Sequence, residues 1–462
     1  MTKAKTLFAC QSCGVQLSKW SGQCPDCGQW NTLVETPVLS QHPESKNRFA
    51  GFSGVASPGI YSGSDVAAET DAYLPTQIAE LDRVLGGGLV PGSVVLMGGE
   101  PGIGKSTLLL QTLIRLAEQY GGSKNGAAPL YITGEESLGQ ILLRAKRLGL
   151  SADGLRLLAE TRMEQIISLA AVEKPNVMVV DSIQTMYTEL LNSAPGGVAQ
   201  VRESAALLVR FAKTTGVAVI LVGHVTKEGA LAGPRVLEHM VDTVLYFESE
   251  GSSRFRVIRA AKNRFGAVNE LGIFAMSDAG LKQVSNPSAI FLSHHERELA
   301  GSVVMVTREG TRPLLVEVQA LVDDSQLAAP RRLAVGLDPN RLAMLLAVLR
   351  RQGGVSTHDQ DVFLNVVGGV RISETGSDLP VLIAVFSSLR NRPVPRELVL
   401  FGEVGLSGEI RPVQGGEERL REAMKHGFKR AIVPKANAPR KKWADLEIHP
   451  VGELSEVLEL VQ

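Results

Sequence analysis

Beyond Pro75 the chain alternates short apolar runs with longer stretches whose apolar residues recur every three or four positions. Runs 94–97 (VVLM), 130–133 (LYIT), 177–180 (VMVV) and 217–222 (VAVILV) predict buried strands, being short, continuous and largely β-branched. Stretches 107–116, 138–148, 163–173 and 198–214 carry the helical period. Strand and helix in alternation predict βαβ units and a mainly parallel sheet. From about Asp242 three strand-like segments follow one another (DTVLYFE, RFRVIRAAK, LGIFAM), which predicts an antiparallel extension at the sheet edge. A turn-rich break near 285–287 opens a second domain. Segment 35–74, rich in Ser, Gly, Pro and Ala, has little periodicity and reads as a linker. The expected order is a module over 1–34, a linker over 35–74, an α/β domain over 75–285 and a further domain over 286–462.

The run at 94–97 feeds a glycine-rich turn, GGEPGIGKST over 98–107, of the form G-x-x-x-x-G-K-[ST]. Its fixed positions are Gly99, Gly104, Lys105 and Ser106; Glu100, Pro101, Gly102, Ile103 and Thr107 complete the nucleotide-binding stretch. A phosphate chain needs backbone N–H groups at close approach, a cation and a hydroxyl for Mg²⁺; the glycines, Lys105 and Ser106 supply them. Hydrolysis also needs a carboxylate that organises Mg²⁺ and a base for the attacking water. Run 177–180 ends in Asp181, the form of a Walker B strand. Glu135 and Glu136 follow run 130–133 at the end where parallel sheets place their ligands, so one of them is the expected general base. Asp181 could instead cap the next helix, and the glutamates could mark a helix N-terminus that favours acids. His224, at the end of the 217–222 run, could sense a γ-phosphate or be a structural histidine.

All four cysteines fall early, as Cys10-x-x-Cys13 and Cys24-x-x-Cys27. Two such pairs separated by ten residues suit a closed tetrahedral Cys₄ zinc site, each pair presenting two thiolates from one tight turn. A module this small, with Trp20, Trp30 and Leu33 as its expected core, would depend on the metal for its fold. Composition adds limits. The 462 residues are 44 % apolar and 21 % charged with zero net charge, which neither demands nor excludes a nucleic-acid partner. No apolar run is long enough to cross a bilayer and no secretion signal is evident, so a cytoplasmic protein without membrane contact is expected.

The stretch ELDRVLGGGLVPGSVVLMGGEPGIGKSTLLLQ, the GEES after the second strand and VVDSIQT resemble the RecA-like ATPases, which include RecA, the helicase DnaB and the clock protein KaiC. Lys262-Asn263-Arg264-Phe265-Gly266 is more specific: it resembles the KNRFG motif of the RadA (Sms) family of bacterial DNA repair proteins, and the resemblance runs over nearly the whole chain. It implies an α/β RecA-like P-loop core with a mainly parallel sheet, an N-terminal Cys₄ zinc module and a C-terminal α+β Lon-protease-like (ribosomal S5-like) domain. It implies ATP, Mg²⁺ and Zn²⁺ as cofactors. The implied activity is that of a DNA-dependent ATPase and helicase in recombinational repair, a homo-hexamer translocating on single-stranded DNA and driving branch migration of branched DNA with the RecA recombinase.

In RecA-like rings a cation from the neighbouring subunit completes the site, which gives Lys262 and Arg264 a catalytic role in trans. The resemblance also assigns DNA contact to two loops, 185–202 and 226–235, with Arg202, Lys227 and Arg235 as candidates and Tyr187 as the main aromatic, so that phosphate contacts should outweigh base readout. In the Lon-like domain Asp378 stands at the nucleophile position and Glu417 at that of the catalytic lysine, with Ser377 one place off. A carboxylate cannot deprotonate a serine in place of that lysine, so a non-proteolytic scaffold is expected. Arg390, Arg392, Arg396, Arg440, Lys441 and Lys442 could bind phosphate there or form a solvated face. The rival expectations are a KaiC-like ATP-driven regulatory switch and an ATP-dependent protease.

Overall fold

The computed structural model describes residues 6–17, 19–37, 73–120, 128–224, 234–249, 254–292, 297–326, 329–369 and 371–461. The chain divides into two units, Met1–Val284 and Ser285–Gln462. The first starts with a three-stranded antiparallel sheet of β1 (Thr6–Cys10), β2 (Gln16–Leu17) and β3 (Leu33–Pro37), in the order β2-β1-β3. Cys10, Cys24 and Leu33 form its core, with Phe8, Val15 and Leu17 against them. Trp20 and Trp30 are not in that core: they are 56 % and 67 % exposed. Four thiols occupy the centre of a module this small and leave no volume for an indole, so the rings lie outside, beside Gly22.

The remainder of this unit builds one nine-stranded sheet. Helix α1 (Ala79–Leu85) ends at Gly86, whose φ of +86° lets its N–H return to the Asp82 and Arg83 carbonyls. Then follow β4 (Val94–Gly99), α2 (Lys105–Tyr120), β5 (Leu130–Thr133), α3 (Leu138–Arg147), β6 (Arg156–Ala159), α4 (Met163–Glu173), β7 (Val177–Asp181), α5 (Val198–Thr215), β8 (Ala218–His224) and α6 (Pro234–Leu237). Strands β9 (Thr243–Glu248), β10 (Phe255–Asn263), β11 (Leu271–Ser277) and β12 (Gly280–Gln283) close it, in the order β12-β11-β10-β9-β4-β8-β7-β5-β6. Strands β4, β5 and β7 are buried along their whole length, with an apolar cluster on each face of the sheet. At about 1.5–3 kcal/mol per buried aliphatic side chain, that burial is the main force holding the site in shape.

One expectation about this sheet needs correction, and one strand was not expected. Segment 243–248 belongs to the parallel part, because β9 pairs parallel with β4; only β10, β11 and β12 run antiparallel. The chain crosses from β8 past β4 before β9 begins, and a crossover brings a strand back in its original direction. Strand β6 gave no sequence signal, since each of its four residues is exposed or half-buried at the sheet edge.

The second unit is α+β. Its seven-stranded sheet has the order β15-β16-β14-β13-β17-β20-β21, from β13 (Ser302–Glu309), β14 (Arg312–Asp324), β15 (Arg332–Val335), β16 (Gln360–Val366), β17 (Leu398–Leu400), β20 (Arg430–Pro434) and β21 (Glu447–Val451), and a separate pair joins β18 (Glu403–Val404) to β19 (Ile410–Arg411). Helices α7 (Pro339–Gln352), α8 (Asp378–Arg390), α9 (Gly416–Lys425) and α10 (Leu454–Leu460) accompany it, and α8 is buried from Asp378 through Ser387.

Candidate nucleotide site and metal module

Parallel strands bring their C-terminal ends to one edge of a sheet, where ligands of α/β proteins bind. Here the register sets Gly99 beside His224 and Thr133 beside Asp181, so the glycine-rich loop, the glutamate pair and the strand-end carboxylate share that edge. Gly104 has φ +117°, a backbone conformation that L side chains rarely adopt, so glycine is what lets the loop close over the core. Glu100, Pro101 and Gly102 are exposed, Ile103 plugs into the core below, and Ser106 and Thr107 are half-buried at the start of α2. These features fit a phosphate cradle.

Lys105 is 3 % exposed and donates to the carbonyls of Gly99 (2.7 Å) and Glu100 (2.9 Å). Burial lowers its pKa to about 8, against the opposing pull of Asp181 and Glu135. Asp181 is buried and accepts from the Tyr131 hydroxyl. The two glutamates diverge. Glu135 accepts from Ser182 Oγ and lies 3.3 Å from His224 Nε2, while His224 Nδ1 lies 3.4 Å from Lys105 Nζ. Glu136 turns to α3, where it pairs with Arg144, and its N–H donates to Thr133 Oγ1 at 3.0 Å. Helix α3 starts in its own capping box, Ser137 with Gln140, which holds this turn in place. Glu135 therefore belongs to the lysine cluster and Glu136 does not. Ser182 and Tyr131 were missed at the level of sequence. The hydroxyl directly after Asp181 was a usable signal for Ser182, whereas Tyr131 looked like any other residue of a buried run.

Lys262 and Arg264 lie far from this edge. Asn263 is in register with Thr243, and Thr243 with Val95, so the KNRFG turn sits at the start of β4. The loop begins at Gly99, the other end of β4, roughly 16 Å away at strand rise. Lys262 Nζ donates to the carbonyls of Glu238 (2.7 Å) and Val241 (2.8 Å), and burial, with help from Arg264, holds its pKa below the usual lysine value. Arg264 is 59 % exposed and bonds Asp242 through one nitrogen at 3.2 Å. Gly266 has no room for a side chain, since a Cβ would meet Gly86 Cα at 2.8 Å.

The sulfurs of Cys10, Cys13, Cys24 and Cys27 lie within 4.8 Å of one another, with Cys10 to Cys27 and Cys13 to Cys24 each at 3.6 Å. A tetrahedron with metal–sulfur bonds of about 2.3 Å has edges of about 3.8 Å, so the four thiols fit one metal ion. Of the DNA candidates, Arg202 stands on α5 rather than in a loop, and it donates to the Cys13 carbonyl at 3.2 Å. The loop before α5 is shorter than expected and is tied down by Gln200, whose amide donates to the carbonyls of Thr188, Leu191 and Ser193. Lys227 lies outside the described residues, as does the side chain of Arg235.

In the second unit Asp378 is fully buried and paired with Arg341, whose Nε donates at 2.8 Å, and it accepts from the Val404 N–H at 3.1 Å. Burial raises its pKa, with the Arg341 hydrogen bond opposing. Ser377 Oγ donates to the Glu374 carbonyl at 2.9 Å, and Glu417 pairs with Arg421. No helix among the described residues is long and apolar enough to cross a membrane.

Comparison with known proteins agrees with this layout. Residues 8–35 match a rubredoxin-type metal binding domain, 64–230 an AAA domain, and 343–437 the domain of subunit ChlI of Mg-chelatase. The chain therefore combines an N-terminal metal-site module, an AAA/RecA-like nucleotide-binding domain and a ChlI/Lon-like C-terminal domain. It is 61 % identical to the DNA repair protein RadA of Pseudomonas aeruginosa, over 99 % of both chains. It is 56 % identical to that of Escherichia coli, over all of this chain and 99 % of the relative, and 49 % identical to that of Bacillus subtilis, over 99 % of each. With its metal module, its glycine-rich loop and its KNRFG turn all in one chain, this protein belongs to the RadA family of DNA repair proteins.

Proposed function

We propose that the protein is a DNA-dependent ATPase and helicase of recombinational repair, acting in the cytoplasm as a homo-hexameric ring that moves on single-stranded DNA and drives branch migration of branched intermediates together with the RecA recombinase. The observation that carries this reading is the separation of Lys262 and Arg264 from the glycine-rich loop of their own chain, at opposite ends of β4. Cations so placed are out of reach of their own chain's loop, which supports a role at the nucleotide of a neighbour, and a ring gives every protomer one.

Within each site the backbone from Gly99 to Thr107 would cradle the phosphates of ATP, with Lys105 released from the loop carbonyls onto the β- and γ-oxygens. Ser106 and Asp181 would hold Mg²⁺, which when bound neutralises charge on those oxygens. Tyr131 orients Asp181 from behind. Glu135 would accept the proton of the attacking water, aligned by Ser182 and His224. The same histidine reaches Lys105, so it can register whether the γ-phosphate is present. Arg264 of the adjoining protomer would stabilise charge on the transferred phosphoryl group. In the second unit the nucleophile position is occupied by an ion pair and Ser377 is tied to a backbone carbonyl, which supports a non-proteolytic role.

The test measures ATP hydrolysis and binding of a fluorescent single strand across a salt series. Single-stranded DNA should stimulate turnover. Log affinity should fall linearly with log salt, at a slope of about −0.7 for each phosphate the ring contacts. Hydrolysis by a monomer, indifferent to DNA, would reject the reading. Zinc is the proposed occupant of the Cys₄ cluster. A strong chelator, or Cys24→Ser, should make residues 8–35 protease-sensitive while the melting of the ATPase core stays unchanged, because about 10–16 kcal/mol of metal binding replaces the apolar core the module lacks. A module that stays resistant without metal would contradict this.

A further inference from the structure

Asp242, the residue before β9, carries more contacts than any role assigned so far requires. Its side chain is 3 % exposed. Oδ2 accepts from the Val94 N–H at 3.0 Å and from Lys213 Nζ at 2.8 Å, and Oδ1 accepts from Arg264 at 3.2 Å. The backbone takes part as well: the Asp242 N–H donates to the Val94 carbonyl at 3.0 Å, and the Arg264 N–H donates to the Asp242 carbonyl at 3.2 Å. Arg264 is thus held at both ends by one residue, while its guanidinium stays 59 % exposed.

We propose that Asp242 is the positioning residue for Arg264, presenting its guanidinium outward to the nucleotide of the adjoining protomer. This rests on the reading above that Arg264 acts in trans. A free arginine at a surface samples many rotamers, and a group that must meet a transition state loses rate for each of them that is wrong. One nitrogen anchored on Asp242 leaves four of the five guanidinium N–H donors for the phosphoryl oxygens. Lys213 balances the carboxylate from the other side, so the anchor itself is not an unpaired buried charge. Val94 opens the strand that ends in the glycine-rich loop, so the anchor is built on the rigid centre of the sheet rather than on a mobile loop.

The test uses the full-length protein. Asp242→Asn keeps an acceptor for Val94 but turns an amide toward two cations. DNA-stimulated kcat should fall roughly 10- to 100-fold, with the KM for ATP within about twofold of native. Arg264→Ala should cost more, and Asp242→Asn combined with Arg264→Ala should be no slower than Arg264→Ala alone, because an anchor without its finger has nothing left to position. Additive losses, a native kcat in Asp242→Asn, or a loss confined to KM would overturn the proposal. Asp242→Asn with Lys213→Gln removes the buried carboxylate together with its half-buried lysine partner and must reproduce the kcat loss; if neither variant folds, Asp242 serves stability and the proposal falls. Full turnover in Arg264→Ala would instead sink the trans reading itself, whatever Asp242→Asn does.

Discussion

Arg264→Ala should bind ATP with near-native affinity yet lose on the order of 10³-fold or more of its DNA-stimulated turnover. The guanidinium lies at the far end of β4 from its own glycine-rich loop, so its removal leaves that loop intact and the binding of nucleotide with it. Negative charge shifts toward the leaving oxygen between the β- and γ-phosphates only as that bond breaks, so the loss falls on kcat. Lys262→Ala should be slow as well but also less stable, because the Lys262 ammonium holds two carbonyls of the turn before β9. Mixing separates shared sites from isolated ones. Arg264→Ala retains its own loop, and Lys105→Ala retains its own finger. Neither is active alone, but about a quarter of the interfaces in a ring assembled randomly from equal amounts combine an intact loop with an intact finger. Recovery of hydrolysis on mixing is the expected result. No recovery, with mixed rings shown to form, would place the whole catalytic set within single chains.

Glu135→Gln and Glu136→Gln should differ by two to four orders of magnitude in turnover. The amide at 135 keeps the shape of the side chain and can still meet Ser182 and His224, but it cannot take a proton from water. Nucleotide binding should survive, so Glu135→Gln is expected to trap a bound, unhydrolysed state. Glu136 is occupied by Arg144 on α3, a partly exposed pair whose loss should cost no more than about 1 kcal/mol of stability and a few-fold at most in rate. Single-turnover hydrolysis with denaturant melting checks both. Equal losses in the two variants would show that the base is not Glu135 alone.

These expectations depended unequally on the linear chain. The glycine-rich loop, the two C-x-x-C pairs and most of the strands were legible because each is local: a phosphate cradle, a tight thiolate turn and a run of buried β-branched residues are each written within about ten consecutive positions. The direction of β9 was misread because apolar periodicity is the same for a strand running either way; only the crossover past β4 sets its sense. The tryptophans of the metal module were misplaced because hydrophobicity marks what prefers to be buried, not what fits around four thiols.

The choice between Glu135 and Glu136 shows the same division. As neighbours in sequence they are chemically identical, and local rules place both after β5. What separates them is who stands opposite: Ser182, just after β7, and His224, at the end of β8, meet the first, and Arg144 from α3 takes the second. Asp242 had no local signature at all, being an acid before an apolar run, and its partners Val94, Lys213 and Arg264 come from three distant segments. The sequence by itself therefore marked a glycine-rich phosphate-cradle motif and a four-thiol metal motif, since each is built from short local patterns. Tertiary structure alone decided which carboxylate faces the lysine and how far Arg264 lies from its own loop, because distances between side chains on different strands exist only once the sheet has set their register.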